Sequence, residues 1–288
     1  MDAALYCVAT PIGNLGDITA RAVDTLRQAD VIYAEDTRVT RKLLTSLGIQ
    51  NRLLSLHEHN EERRVADIRD QILSGVRVAL VSDAGTPLIS DPGYQLVSQL
   101  SAQDVRVIPI PGASAIIAAL SAAGLPTDRF VFEGFLPARA GPRRKALETL
   151  QHEARTLVLY ESSHRIAELL ADLEHVLGGN RELVIARELT KLYEQFYRGT
   201  VSALREQLQA DADMRRGEFV VMVAGAAPVD DEDVEGQTAT LDSTQLLTVL
   251  LDELPVKQAA RLAARLTGLP KNRLYRQAMT LQQAGSGV

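Results

Sequence analysis

The sequence predicts an α/β protein with three parts, and three features of the chain lead to this prediction. Short apolar runs rich in β-branched residues alternate with segments of helical spacing through residues 1–124, as in parallel sheets covered by helices. The pattern changes near Pro126, so residues 125–225 are predicted to form a second α/β domain. An acidic stretch without periodicity, residues 226–242, precedes a basic helical segment, residues 243–288, which predicts a linker and a small helical domain.

The first domain is predicted to contain four strands, each followed by a loop and a helix. The predicted strands are "LYCVA" (5–9), "VIYAE" (31–35), "RVALVS" (77–82) and "VRVIPI" (105–110). Segments such as "ARAVDTLRQA", "TRKLLTSLG" and "GYQLVSQLSAQD" lie between them and carry apolar residues at helical spacing. Right-handed crossovers between these strands would make them parallel neighbours in one sheet.

The C-terminal segment is predicted to contain a helix–turn–helix. In "AARLAARLTGLPKNRLYRQA" one helix ends at a turn around Gly268 and the next begins at Pro270. No Asp or Glu follows Glu253, whereas six Lys and Arg residues do; the preceding residues hold 25 basic and 37 acidic side chains. A cationic end on an acidic chain indicates an anionic partner, although a three-helix cap packed on the body would give the same pattern.

Composition excludes several classes of protein. The single cysteine, Cys7, lies in an apolar run, which excludes a disulfide framework and a cysteine-rich metal cage. His57 and His59 lie two residues apart without a third ligand, so no metal site is predicted. No apolar run approaches the ~20 residues of a membrane span, and the N-terminus lacks the basic region of a signal peptide. We therefore expect a soluble cytoplasmic protein with no membrane partner.

The usual glycine-rich nucleotide motifs are absent. The sequence contains neither G-x-x-x-x-G-K-[ST] nor G-x-G-x-x-G between a strand and a helix. This argues against a P-loop enzyme, an ordinary dinucleotide fold and the common methyltransferase fold.

Four loops rich in Gly, Pro and short polar residues follow the four predicted strands. They read "ATPIGNLGDIT", "AEDTRVT", "SDAGTPLISDPG" and "PIPGASAIIAALSAAG". Parallel sheets bind ligands at the carboxyl ends of their strands, so the loops predict a ligand site there. Asp17 is expected to cap the following helix, Gly112 to let a ligand approach the backbone, and Asp91 to cap the helix after Pro92.

At this point the residues carry a resemblance. The segments "TPIGNLGDIT", "AEDTR", "SDAGTPLISDPG", "PGASA", "FEGFLP", "YESSHR" and "ARELTK", in this order, resemble the tetrapyrrole-methylase superfamily of S-adenosylmethionine-dependent enzymes. They are most similar to the branch that methylates a cytidine ribose 2′-hydroxyl in small-subunit (16S) ribosomal RNA. The resemblance runs from about Leu5 to Ala224, and the basic tail is similar to that branch's appended domain. Porphyrin-acting relatives carry "GPGD" and "GDP" where this chain reads "GNLGD" and "SDAGTP", which favours the RNA branch.

The resemblance implies S-adenosylmethionine in a cleft between two α/β domains, and a homodimer. Its motifs carry the cofactor-binding role to ten positions of this chain: Leu15, Asp83, Ala84, Gly85, Thr86, Ser114, Ala115, Tyr160, Glu161 and Leu189.

Ribose methylation would benefit from a proton acceptor and from cations that hold phosphates. Glu35, Asp36 and Glu188 are the predicted candidates for proton handling. An ion pair between the domains would explain each of them equally well. The predicted RNA contacts are Arg38, Arg139, Arg143, Arg144, Lys145, Arg187, Lys191, Lys257, Lys271, Arg273 and Arg276. A mobile surface loop is the alternative interpretation of "PARAGPRRK", residues 137–145.

Two further functions remain open at this stage. One is a small-molecule methyltransferase of the same fold acting on a tetrapyrrole or corrin, which would not need the basic tail. The other is a non-catalytic regulator with a ligand-sensing body and a DNA-binding helix–turn–helix. The preferred interpretation predicts small-subunit ribosomal RNA, or the assembled small subunit, as the partner.

Overall fold

The computed structural model describes residues 1–57, 61–227 and 243–285. Residues 1–226 form one compact unit and residues from 227 onward form a second. Most of the predicted acidic linker, residues 228–242, lies outside the described residues, as does His59.

The first sheet is entirely parallel, as the sequence predicts, and has five strands in the order β3-β2-β4-β1-β5. The strands are β1 (Leu5–Val8), β2 (Val31–Ala34), β3 (Leu53–Ser55), β4 (Val78–Val81) and β5 (Val107–Ile110). The helices are α1 (Ala20–Gln28), α2 (Thr37–Ser46), α3 (Glu61–Leu73), α4 (Tyr94–Ser101) and α5 (Ala115–Ala123). Sequence analysis missed β3, because this edge strand is only three residues long and half-buried.

Buried side chains cover both faces of this sheet, which explains why its strands read as continuous apolar runs. β2 and β4 are buried at every position. Ile32 and Val81 belong to the apolar cluster on one face, whereas Tyr33 and Leu80 belong to the cluster on the other.

The second sheet is mixed, with the order β6-β7-β10-β8-β9. Its strands are β6 (Phe130–Phe135), β7 (Thr156–Ser162), β8 (Glu182–Arg187), β9 (Gln195–Thr200) and β10 (Glu218–Val223). Its helices are α6 (Ala140–Thr149), α7 (Ile166–Leu177) and α8 (Val201–Ala210). β6 and β7 are parallel, whereas β10 is antiparallel to both β7 and β8.

Helix α5 joins the two halves of the first unit. It follows the first sheet in sequence, yet Ile116 and Leu120 on its buried face pack with Val158, Val184 and Met222 of the second sheet. The predicted boundary near residue 125 therefore falls between two sheets that share a core. This packing brings the carboxyl edge of the first sheet against the second half of the unit.

The C-terminal unit confirms the predicted helical segment. It contains α9 (Ser243–Glu253), α10 (Val256–Thr267) and α11 (Lys271–Gly285). α10 ends where Gly268 adopts a φ of 72°, which glycine reaches without a steric penalty. A small core of leucine and alanine holds the three helices together: Leu247, Ala260, Ala263, Leu274 and Ala278.

Candidate active site at the carboxyl edge of the first sheet

The loop between β4 and α4, residues 82–93, is the central element of the candidate site. Thr10 in the loop after β1 exchanges two backbone hydrogen bonds with Gly85, with N–O distances of 2.9 and 3.1 Å. Further along the same side of the sheet, the Thr86 hydroxyl donates to the carbonyl oxygen of Ala113, in the loop after β5, at 3.0 Å. The loop is therefore held to the exits of β1 and β5, which lie on the same side of β4 in the sheet.

A cavity of about 410 Å³ opens between this edge and the second sheet. The first half contributes Ile12, Glu35, Asp83, Ala84, Gly85, Thr86, Ile89, Ser90, Asp91, Ser114 and Ala115. The second half contributes Phe135, Tyr160, Glu161, Ser162, Ala186, Leu189, Lys191, Glu218, Phe219 and Val220. The volume of this cavity, its apolar walls and its few polar groups are typical of a site that binds a small molecule.

Aromatic rings form part of the wall from the second half. The Tyr160 ring lies 5.0 Å from Phe132 and 5.5 Å from Phe135, measured between centroids. Phe135 is 55% exposed although it lines the cavity. Burial and the nearby Asp91 carboxylate raise the pKa of Tyr160 to about 12, against a backbone hydrogen bond from Ile116, so its hydroxyl stays protonated at neutral pH.

Glu161 lies next to this wall, and the side chain is fully buried. Its Oε1 accepts a hydrogen bond from the Ser162 amide at 2.8 Å and lies 3.3 Å from Arg165 Nε. Its Oε2 has no partner among the residues that the structure describes. Burial raises the pKa of Glu161, although Ser162 and the charges of Arg165 and Arg143 oppose the increase. A buried acceptor without a partner beside a cavity indicates a ligand that donates to it.

Asp91 also lines the cavity, and this corrects the role that the sequence predicts for it. The residue at the N-cap of α4 is Gly93, and no side-chain bond caps that helix. Burial raises the pKa of Asp91 to about 6; a hydrogen bond from Ser82 opposes this and the charge of Asp83 adds to it. The predicted cap at Asp17 is also wrong, because Thr19 caps α1.

Two comparisons with known proteins identify the relatives of the chain. Residues 4–205 match the family model described as Tetrapyrrole (Corrin/Porphyrin) Methylases, and residues 237–282 match the RsmI C-terminal HTH domain. Ribosomal RNA small subunit methyltransferase I of Xylella fastidiosa strain 9a5c is 51% identical over 271 residues, which cover 94% of this chain and 97% of the relative. The chain belongs to the ribosomal RNA small subunit methyltransferase I family.

Other relatives agree with this assignment. The methyltransferase I of Pseudomonas aeruginosa PAO1 is 49% identical, covering 96% of this chain and 97% of that protein. Among solved structures, uroporphyrin-III C-methyl transferase of Thermus thermophilus complexed with S-adenyl homocysteine is similar with a TM-score of 0.52 and 19% identity. That alignment covers 77% of this chain and 97% of the Thermus chain, and it supports the fold alone.

The cavity brings together nine of the ten positions to which the family motifs assign cofactor binding. They come from three segments, residues 83–86, Ser114 with Ala115, and Tyr160 with Glu161, together with Leu189. Leu15 does not line the cavity; it is 54% exposed at the start of a short 3-10 turn. Gly112 does not line the cavity either, and a Cβ there would lie 2.9 Å from Ala9 Cβ. Its absence lets the loop after β5 pack on the end of β1.

The three residues predicted to handle the proton have different environments in the structure. Glu35 lines the cavity. Asp36 caps α2 through the Arg38 amide at 2.8 Å, and hydrogen bonds from Arg38 lower the pKa of this carboxyl to about 2. Burial raises the pKa of Glu188, but hydrogen bonds, with that from the Lys191 ammonium the largest, outweigh burial and lower it overall. Low pKa values make Asp36 and Glu188 poor proton acceptors near neutral pH.

Arg143 is the predicted RNA contact that the structure contradicts. Its side chain is 1% exposed, and Nε lies 2.6 Å from Asp172 Oδ2. One terminal nitrogen lies 3.1 Å from Glu168 Oε2 and the other donates to the Ala138 carbonyl. Because the guanidinium is buried and paired with two carboxylates, it is not accessible to a phosphate. The segment is also not a loop, because it enters α6 at Ala140, with Arg143 and Leu147 on the buried face.

The other predicted RNA contacts lie at or near the surface. Seven are exposed: Arg38, Arg139, Arg144, Lys145, Lys257, Lys271 and Arg276. Arg187, Lys191 and Arg273 are partly exposed. Lys191 lines the cavity, where its ammonium forms ion pairs of 2.9 Å with Glu188 and 2.8 Å with Glu218.

Sequence analysis missed several cavity residues for identifiable reasons. Phe135 and Phe219 lie at strand ends of the second sheet, whose strand order the sequence does not reveal. Ser90 and Asp91 belong to the loop "SDAGTPLISDPG", but its final Asp-Pro-Gly is typical of a helix start. Among the described residues, no cluster of side chains suits a metal ion and no helix has the length and apolar character of a membrane span.

Proposed function

We propose that this chain transfers a methyl group from S-adenosylmethionine to the 2′-hydroxyl of a cytidine in small-subunit ribosomal RNA. The observation that carries the proposal is the cavity at the carboxyl edge of the first sheet, which combines family motif residues from both halves of one compact unit. The names of the relatives supply the substrate class. Their near-complete coverage of this chain supports carrying that class over.

The residues of the cavity fit a cofactor of this chemistry. Five carboxyl groups line it against one ammonium, and that ammonium is already paired. Such a lining suits a ligand with a sulfonium and an amino group, because nearby opposite charges stabilise the cation. The free amides at the start of α5, at Ser114 and Ala115, suit its carboxylate.

The partnerless Glu161 Oε2 suits an amino group of the adenine or a ribose hydroxyl. Phe135 and Tyr160 offer apolar faces for the base. We assign the predicted cofactor residues other than Leu15 to this role.

The bound cofactor supplies an electrophilic methyl group on a good leaving thioether. The chain therefore has to align the ribose oxygen with that methyl group, exclude water and receive the hydroxyl proton. The loop of residues 82–93 suits alignment because hydrogen bonds to Thr10 and Ala113 hold it on one side and the Asp36 amide holds Asp83 on the other. The rim residues Ile89 and Phe135 suit exclusion of water from a site that nucleic acid would cover.

Exposed cations support the RNA part of the proposal. Lys257, Arg261 and Arg265 lie at intervals of four on α10 and are exposed, opposite a core of alanines. Such a stripe would contact phosphates, as would Arg139 and Lys145 at α6, with affinity that falls steeply as salt rises. The basic helical unit favours RNA over a tetrapyrrole, which does not require it.

We also propose that the protein acts in the cytoplasm, where small subunits are present, and that it forms a homodimer. Two exposed apolar side chains, Leu192 at 88% and Tyr193 at 66%, support a protein interface. Light scattering should then give twice the chain mass of 31.4 kDa. A mass of one chain at micromolar concentration would refute the dimer.

The proposed function is tested with methyl-labelled S-adenosylmethionine and three acceptors: naked small-subunit RNA, assembled small subunits, and uroporphyrinogen. We expect label in one or both RNA acceptors, recovered as 2′-O-methylcytidine after nuclease digestion and mass spectrometry. Label on a base, or label only in uroporphyrinogen, would contradict the proposal. Ligand-dependent binding of duplex DNA without methyl transfer would support a regulator instead.

A further inference from the structure

We propose that Asp91 is the proton acceptor for the ribose hydroxyl during methyl transfer. This inference rests on the proposed function and adds a named catalytic residue to it.

The geometry of the loop points to a functional constraint at Asp91. Leu88 and Ser90 adopt φ values of 73° and 65°, which are uncommon for residues other than glycine, and Gly93 adopts 123°. Pro92 fixes the following φ. Backbone conformations of this kind cost free energy and concentrate at active sites and ligand clamps. The outcome here is a carboxyl group held in the lining of the cavity between the two sheets.

The structural role that would otherwise explain Asp91 is absent. It does not cap α4, whose N-cap is Gly93 without a side-chain bond. No ion pair involving Asp91 is found among the described residues. Its identified polar neighbours are Ser82, Asp83 and Tyr160, which come from both sides of the cavity.

These neighbours suit the carboxyl group to accepting a proton. Burial favours the protonated form, a hydrogen bond from the Ser82 hydroxyl opposes this effect, and the Asp83 carboxylate adds to it, so the pKa of Asp91 is about 6. Tyr160 stays neutral and adds no charge. A base with a pKa slightly below the working pH is ionised and still basic enough to take a proton.

Three of the other four carboxyl groups of the lining are less suitable, and Glu35, the fourth, is the competing candidate. Glu161 is fully buried beside Arg165, and Glu218 is 80% exposed and paired with Lys191. Asp83 is engaged by the Asp36 amide.

The step balances as follows. The ribose O–H bond breaks and its proton moves to a carboxylate oxygen of Asp91. The oxygen lone pair forms the new O–CH₃ bond while the S–CH₃ electron pair moves to sulfur. The products are a methyl ether, a neutral thioether and protonated Asp91, which returns its proton to solvent.

The test compares Asp91→Asn, Asp91→Glu and the control Asp67→Asn, an exposed position on α3. We expect the wild-type rate to fall on the acidic side of pH 6, and we expect Asp91→Asn to lower kcat by about 10²–10⁴-fold and to abolish this acidic limb. Asp91→Glu should restore part of kcat. Calorimetry should give S-adenosylhomocysteine affinities within about threefold of wild type for all variants, which also confirms folding. Carbon-13 NMR of labelled aspartate should show a carboxyl titrating near pH 6 that is missing in Asp91→Asn.

Several results would overturn the inference. An Asp91→Asn enzyme with kcat within threefold of wild type, or with the acidic limb intact, would exclude Asp91 as the acceptor. If Asp91→Asn binds S-adenosylhomocysteine more than tenfold more weakly but keeps its kcat at saturating substrate, Asp91 is a cofactor ligand and not the proton acceptor. Failure of the proposed function is distinguishable, because the wild type itself would then transfer no methyl group to RNA.

Discussion

The backbone amide of Asp36 donates a hydrogen bond of 2.9 Å to Oδ1 of Asp83. This bond joins the loops after β2 and β4, two neighbouring strands of the parallel sheet. With the bonds of Thr10 and Ala113 to the same loop, it links the exits of four strands into one rim. Hydrogen bonds within the chain therefore hold the rim together, and preorganisation of this kind lowers the entropic cost of binding.

Replacing Asp83 by Ala should weaken both the rim and the binding of the methyl donor. Loss of a hydrogen bond to a charged group costs about 1.5–3 kcal/mol in favourable cases, and the exposure of Asp83 places it at the lower end. We expect at least a tenfold loss of S-adenosylhomocysteine affinity by calorimetry. Asp24→Ala, at an exposed pair with Arg27, is the control and should change nothing. Unchanged affinity in Asp83→Ala would remove this residue from the site.

Glu161→Gln tests the buried acceptor without a partner. The change keeps the shape but replaces one acceptor oxygen by a donor, which would oppose a ligand amino group or hydroxyl. We expect about 10–100-fold weaker S-adenosylhomocysteine binding, corresponding to one hydrogen bond to a charged group. Glu148→Gln, an exposed change on α6, should leave the affinity unchanged. Equal affinities for both variants would show that Glu161 serves only the pair with Arg165.

Substitutions of Arg143 and Lys145 should have different effects, although the residues lie two positions apart: the first should lower stability and the second RNA affinity. Arg143→Met leaves Asp172 buried with one fewer partner, so we expect the free energy of unfolding to fall by roughly 3 kcal/mol. Lys145→Ala should leave stability within ~0.5 kcal/mol and weaken RNA binding modestly. Urea denaturation and filter binding measure the two effects. A stable Arg143→Met protein with reduced RNA affinity would restore the contact that the sequence predicts.

The stability of the Asp91→Asn variant should depend on pH in a defined direction. The pKa of Asp91 rises from 3.8 to about 6 on folding, so its stabilising contribution is complete below pH 3.8 and is lost as pH rises through 6. The wild type therefore carries a cost at pH 7.5, which Asn removes. We expect a gain of about 1–3 kcal/mol at pH 7.5 and almost none at pH 4, measured by thermal unfolding. A gain that is equal at both pH values would contradict the raised pKa.

Deleting residues 243–288 should weaken RNA binding and leave cofactor binding nearly intact. The deleted segment holds six cations after Glu253 and forms a compact unit of its own, whereas the cavity lies within residues 1–226. We expect a smaller slope of log affinity against log salt, by about 0.7–0.9 per lost phosphate contact. Equal RNA affinity and an equal slope in filter-binding titrations would refute the role of this unit.

Much of the first half could be predicted from sequence because its chemistry is local. Buried parallel strands appear in the sequence as apolar runs, and the loop that follows each strand is recognisable by its Pro and Gly residues. The edge strand β3 was not predicted, because a strand of three half-buried residues is too short to give a clear apolar run. The helical tail was predictable for the same local reason, with Gly268 marking the turn between α10 and α11.

The rest depends on contacts between distant segments. The last strand, β10, lies between β7 and β8 in the sheet, and this position cannot be predicted from the residues of β10 alone. Arg143 reads as a surface cation, yet Asp172 on another helix compensates its burial. Asp91 has the sequence context of a helix cap, and only the packing of Tyr160 and Asp83 around it reveals a different environment.

The most direct test is a crystal structure of the full chain grown with S-adenosylhomocysteine. The account predicts electron density for the ligand inside the cavity, in contact with Asp83, Ser114 and the Glu161 carboxylate. Density at any other place, with this cavity filled by solvent alone, would contradict it.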